Sequence, residues 1–143
     1  MKITSPAFES KGIIPQKYTC QGQDINPPLK IENVPDDAKS LALIVEDPDA
    51  PAGTWIHWIV YGIPIIDQIQ ENSVPGTQGR NDFDKLDYGG PCPPSGVHRY
   101  FFRIYALDKT LSLEEGIDKD ALIKAMDEHI LEQAELVGRF GNT

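Results

Sequence analysis

No apolar run in this sequence approaches the ~20 residues that a membrane-spanning helix needs. The longest apolar-rich stretch, Trp55 to Ile66, is broken by His57, Gly62 and Pro64, so a spanning segment is not expected. The first residues, Met1-Lys2-Ile3-Thr4-Ser5-Pro6, lack a basic region leading into an apolar one and a small-residue cleavage site. A cytoplasmic protein is the resulting expectation. Cysteine is scarce: Cys20 and Cys92 are too few and too far apart for a zinc ribbon or a multi-bridge framework. They are either two unremarkable thiols or, since each lies in a Pro- and Gly-rich loop, a pair that meets in space, as cytosolic disulfides of hyperthermophiles do. There is no His-x-x-x-His or Cys-x-x-Cys spacing, so no metal is expected, and no cofactor motif stands out. A Gly-x-Ser-x-Gly elbow is also missing, and Ser95 sits in a Pro/Gly loop without an evident activating partner, so a serine nucleophile is not expected either. Basic residues are in deficit, 13 Lys+Arg against 22 Asp+Glu, a formal charge of −9. Such a field repels polyanions, which excludes nucleic acid and anionic bilayers as extended partners. It does not exclude one small anion in a pocket, because the Debye length at physiological salt is about 8 Å.

What is present is one domain, residues 1–143, 40% hydrophobic and large enough for its own core. Proline and glycine recur at short intervals through the first hundred residues, leaving room for strands but not for long helices. Leu41-Ala42-Leu43-Ile44-Val45 is a continuous apolar run and reads as a central strand buried on both faces. Trp55 to Ile63 is the next strand, and period two puts His57, Ile59 and Tyr61 on one face and Ile56, Trp58 and Val60 on the other. In His98 to Leu107 the same period groups His98, Tyr100, Phe102, Ile104 and Ala106 against Arg99, Phe101, Arg103 and Tyr105, the arginine face being the wetter. A helix is predicted after Asp118 as N-cap, with Ile117, Ala121, Leu122, Ala125, Met126, Ile130 and Ala134 at helical spacing. Ser112 to Glu115 fits a capping box but stops at Gly116, and Asn81 to Asp87 reads as an exposed polar loop. Short strands with one late helix predict a mainly β, α+β fold built on an antiparallel sandwich.

Three polar features remain. Asp47-Pro48-Asp49-Ala50-Pro51 sets two carboxylates in a rigid turn where an apolar strand ends, and His57 interrupts an apolar strand. Tyr88-Gly89-Gly90-Pro91-Cys92-Pro93-Pro94 is a stiff loop whose glycines let backbone N–H groups approach a ligand, and it leads into His98 and Tyr100 on one face. Metal binding, hydrolysis and anion binding are all compatible with two histidines, two aspartates and a tyrosine. Anion binding asks least of them, namely donors with Asp47 orienting a histidine.

These blocks, with Trp55-Ile56-His57-Trp58 and Gly96-Val97-His98-Arg99-Tyr100, resemble the signature segments of the phosphatidylethanolamine-binding protein family, also called the Raf kinase inhibitor protein family. The stretches Tyr18-Thr19-Cys20 to Asn26-Pro27-Pro28-Leu29 and Ala134 to Gly138 are similar to its bacterial and archaeal branch. The resemblance implies a Greek-key β-sandwich, often homodimeric in this branch. It also implies a non-enzymatic pocket for phosphate or a phosphorylated head group, formed by Asp47, Asp49, His57, Gly90, Pro91, His98 and Tyr100. Inhibition of a serine protease or a kinase is the alternative role that the family implies, and phosphoester or acyl hydrolysis is a further alternative. The C-terminal extension of eukaryotic members has no counterpart here, which implies a wider pocket mouth.

Overall fold

A computed structural model describes residues 1–141. Its elements are β1 (Lys2–Thr4), a 3-10 turn (Gln16–Tyr18), β2 (Leu29–Glu32), β3 (Ser40–Asp47), β4 (Trp55–Ile63), β5 (Gln68–Ile69), β6 (Thr77–Gln78), β7 (Val97–Leu107), α1 (Lys119–Met126) and β8 (Ile130–Gly141). They form two antiparallel sheets, one ordered β1-β2-β5 and the other β6-β4-β3-β7-β8. The fold is thus the expected mainly β sandwich with a single helix, and the chain passes between the sheets after β2, β4 and β5.

Strand β3 sits at the centre of the larger sheet and every one of its residues is buried. Two cores explain why. Leu41, Leu43 and Val45 pack with Trp58, Tyr100, Phe102 and Ile104 against Ile3, Leu29, Ile31 and Ile69 of the smaller sheet. Ala42 and Ile44 pack with Ile59, Tyr61 and Tyr105 against Leu111 and against Leu122 and Met126 of α1. A strand covered on both faces needs apolar residues at consecutive positions, which is why 41–45 shows no alternation. By the same alternation Asp47 falls on the face between the sheets, and Glu46 on the helix side. There Glu46 is buried and receives Arg103 Nε at 2.8 Å and Lys119 Nζ at 2.6 Å, tying α1 to the sheet.

Two expectations are corrected. The helix ends at Met126, and Ile130 and Ala134 belong to β8, paired with Leu107 and Ile104 of β7. Asp127 caps the helix and Glu128 takes a left-handed φ of 68°, which turns the chain back before Ile130. A spacing of four is even, so it keeps two residues on one face in a strand as well as in a helix, and that pair could not discriminate between them. The start is as expected, with the Asp118 side chain accepting from Ala121 N–H at 2.8 Å. The second correction concerns β4. Val45 pairs with Trp58 while Glu46 pairs with Ile56, so His57 is the extra residue of a β-bulge. Ile56, Ile59 and Tyr61 face the helix-side core and Trp58 and Val60 the inter-sheet core. His57 does not follow Ile59 and Tyr61 as period two demands; its ring lies 5.3 Å from that of Tyr100 on β7.

Candidate functional site

The bulge brings His57 to the two residues that strand period had already joined. His98 and Tyr100 lie on β7, their rings stacked with centroids 6.5 Å apart. Asp47, at the end of β3, accepts from His98 Nδ1 at 2.7 Å, and the pair is nearly sealed, with side chains 9% and 4% exposed. The other Asp47 oxygen accepts from Asp49 N–H at 2.7 Å, so both lone-pair edges of this carboxylate are engaged. His57 Nδ1 is 2.7 Å from the Gly89 carbonyl, to which it donates. Each imidazole is thus oriented through Nδ1, leaving Nε2 as the nitrogen it can offer a ligand.

Asp47, His57, His98 and Tyr100 line one cavity of about 200 Å³, walled further by Trp55, Phe83, Pro51 and Cys92 to Pro94. Asp49, Gly90 and Pro91, expected in the pocket, are not among its lining residues. Asp49 instead accepts from the Arg99 backbone N–H, Nε and NH2, each at 2.9 Å, and so fastens the Asp-Pro turn to β7. The glycine loop does not turn its amides to the cavity: Gly89 N–H donates to the His57 carbonyl, and Gly90 N–H to Asp24 Oδ1 at 2.8 Å. What Gly90 supplies is closeness, since a Cβ there would stand 2.4 Å from both Asp24 Oδ1 and the Tyr18 carbonyl. Pro91 accepts from Cys20 N–H, Tyr88 Oη donates to the Tyr18 carbonyl, and Cys20 and Cys92 are joined in a disulfide. Of the two readings of the cysteines, the structure supports the bonded one.

Phe83 was not foreseen. It comes from the polar loop after Asn81, is 37% exposed, and meets His57 and Trp55 edge to face at 5.3 and 5.6 Å. Asn81 is buried and folds that loop: its Oδ1 accepts from Phe83 and Lys85 N–H, and its Nδ2 donates to the His57 and Asp87 carbonyls. The signal available was an Asn followed two residues later by the one aromatic in a charged stretch, the pattern of an Asx turn presenting a side chain.

Burial dominates the ionisation of this site. Desolvation pushes His57 below its ordinary 6.5, against the upward pull of the Gly89 carbonyl, Asp47, the Gly90 carbonyl and Asp24. Tyr100 is raised, first by burial and then by Asp47 and Asp49, with the Cys92 backbone N–H acting the other way. Asp49, by contrast, is held down to about 2, chiefly by its Arg99 hydrogen bond. Because folding lowers the His57 pKa, the unfolded chain binds a proton that the folded one refuses between the two values. Its contribution is therefore complete above about pH 6.5 and is lost as pH falls through the folded value, with a slope of up to ~1.4 kcal/mol per pH unit. Urea unfolding between pH 7.5 and 5 should show this decline, and His57→Gln should flatten that part of the profile. An unchanged slope in the variant would count against the buried neutral imidazole.

Among the described residues, no three His, Cys, Asp or Glu side chains are grouped closely enough to hold a metal ion. The phosphatidylethanolamine-binding protein family model matches residues 4–141. The chain belongs to that family. Within it, a UPF0098 protein of Methanothermobacter thermautotrophicus is 49% identical, with 98% of each chain covered. The crystal structure of a phosphatidylethanolamine-binding protein homolog from Chlamydia trachomatis superposes with a TM-score of 0.97 at 47% identity, over 99% of this chain and 97% of that one. The crystal structure of YbcL from Escherichia coli, described as a new member of the mammalian PEBP family, gives a TM-score of 0.91 at 27% identity, over 99% of this chain and 98% of that one. In this family member no helix among the described residues is long and apolar enough to cross a membrane.

Proposed function

We propose that the cavity captures a small oxyanion, a phosphate group or phosphate ester, and does so without turning it over. The observation that carries this reading is the convergence of two imidazoles and a phenol on one small cavity, each imidazole fixed through Nδ1 by a partner of its own. An anion held there meets preorganised polar groups, and Asp47 is the counter-ion to His98 whenever that ring is protonated. Each charge-assisted hydrogen bond contributes roughly 1.5–3 kcal/mol before the entropy of association is subtracted, so modest affinity follows. The family resemblance supports the same ligand chemistry, and a cytosolic home is part of the proposal, on condition that the Cys20–Cys92 bond persists there, as in hyperthermophiles.

Titration calorimetry with inorganic phosphate and phosphoethanolamine is the direct test. The parent chain should bind both, and His98→Ala should bind them at least about tenfold more weakly, the loss of one charged hydrogen bond. No heat with the parent, or equal binding by the variant, would remove the reading. Turnover of a phosphate ester that His57→Ala abolishes would replace it with a hydrolase.

A further inference from the structure

The two imidazoles of the cavity are not equivalent, and their difference selects among oxyanions. Both give their Nδ1 hydrogen to a protein acceptor, but the acceptors differ in kind: a carboxylate, Asp47, for His98, and a neutral backbone carbonyl, Gly89, for His57. A ring whose Nδ1 bears the only hydrogen presents a bare lone pair at Nε2, and only a doubly protonated ring donates there. His98 has the ion-pair partner that a cation requires, Asp47 at 2.7 Å, while Asp49 of the same turn is paired with Arg99 of β7. Among the described residues, His57 has no carboxylate in hydrogen-bond contact. Gly89 and Gly90 of the proline loop present carbonyls to it, Phe83 and Tyr100 close on it edge to face, and Asp47 of β3 and Asp24 of the loop after the 3-10 turn act on it only at a distance. Only 3% of the residue is exposed, so little of it is solvated. Desolvation accordingly outweighs every favourable charge on it and disfavours the cation. The third group, Tyr100, has the Cys92 backbone N–H facing its oxygen, so its hydroxyl hydrogen is the one left to give. The cavity therefore offers two donors and one acceptor.

We infer that the ligand class is an oxyanion carrying its own hydrogen, inorganic phosphate or a phosphate monoester, which accepts from His98 and Tyr100 and donates its P–O–H to Nε2 of His57. Sulfate and phosphate diesters hold no such hydrogen and would set an oxygen lone pair against that of the imidazole. This rests on the anion-capture reading above and narrows it: the monoanion of a monoester fits, and the diester form found in an intact phospholipid does not.

Methyl phosphate and methyl sulfate make the decisive comparison, because at pH 5.5 they have the same shape and the same single charge and differ by one hydrogen, the second phosphate ionisation lying near 6. Calorimetric titration of the full chain with these two and with dimethyl phosphate should find methyl phosphate at least about tenfold tighter than either, the penalty for an unmade hydrogen bond to a buried group. In His57→Gln, whose amide can turn an N–H to the ligand, that preference should collapse. Equal binding of the three by the parent, or tighter binding of methyl sulfate, would overturn the inference and leave an unselective anion pocket. Binding of none would remove the pocket reading itself. The parent's ligand series stands alone if the variant does not fold.

Discussion

Reduction of the Cys20–Cys92 bond should lower the unfolding free energy by about 4 kcal/mol, because the bond joins residues 72 apart in sequence and so restrains a long loop in the unfolded chain. For a chain of this length that corresponds to a drop in Tm of roughly 10–15 °C. The effect extends beyond stability, since Cys92 lines the cavity and its backbone N–H faces Tyr100. Three hydrogen bonds share the seam with the bond: Cys20 N–H to the Pro91 carbonyl, Tyr88 Oη to the Tyr18 carbonyl, and Gly90 N–H to Asp24. These should hold the loop in place at low temperature, so phosphate binding by the reduced protein should persist at 20 °C and fail with the fold on heating. Scanning calorimetry with and without a dithiol reductant, repeated on a Cys20→Ala, Cys92→Ala double variant, measures this. A Tm unmoved by reduction would mean that the hydrogen-bonded seam alone carries the loop.

Asp47→Ala is expected to be the most damaging single change at the site, at about 3–5 kcal/mol. The carboxylate is buried against His98, and truncation leaves the imidazole and the Asp49 N–H without their acceptor. Asp47→Asn separates the two roles. Its amide oxygen can still accept from Asp49 N–H or from His98, so most stability should return, while the counter-ion to His98 is gone and phosphate affinity should fall by about tenfold or more. Urea unfolding paired with calorimetry on both variants distinguishes these outcomes. If Asp47→Asn bound phosphate like the parent, the charge of His98 would play no part in holding the ligand.

Strand period is a strong signal wherever a strand is regular. His98 and Tyr100, two apart in an unbroken β7, were legible as neighbours, whereas only the family resemblance joined Asp47 and His57 to them. His57 was singled out by its chemistry, but its face was misjudged, because a bulge depends on the register of the partner strand and is invisible within β4 itself. The end of the helix was missed for a related reason, Ile130 and Ala134 being four apart in either geometry. The glycine loop was assigned the wrong service. Its residue types promised exposed amides, yet Asp24 and the His57 carbonyl, distant in sequence, take those hydrogens. Phe83 stayed hidden because its place over His57 is set by Asn81, whose four side-chain hydrogen bonds only the folded loop reveals.

The bulge in β4 carries a consequence for how such a pocket could be gained or lost. With position 57 left out, Ile56, Trp58, Ile59, Val60 and Tyr61 alternate without a fault between the two cores and stay opposite their present partners on β3. The sheet is complete without this histidine. Scaffold and chemistry are therefore separable at the level of one codon: deleting that triplet would subtract an imidazole from the cavity and leave the framework of the strand in phase. The cost of the deletion would fall outside the strand, on the loops that the His57 carbonyl holds, because Gly89 N–H and Asn81 Nδ2 would lose their acceptor.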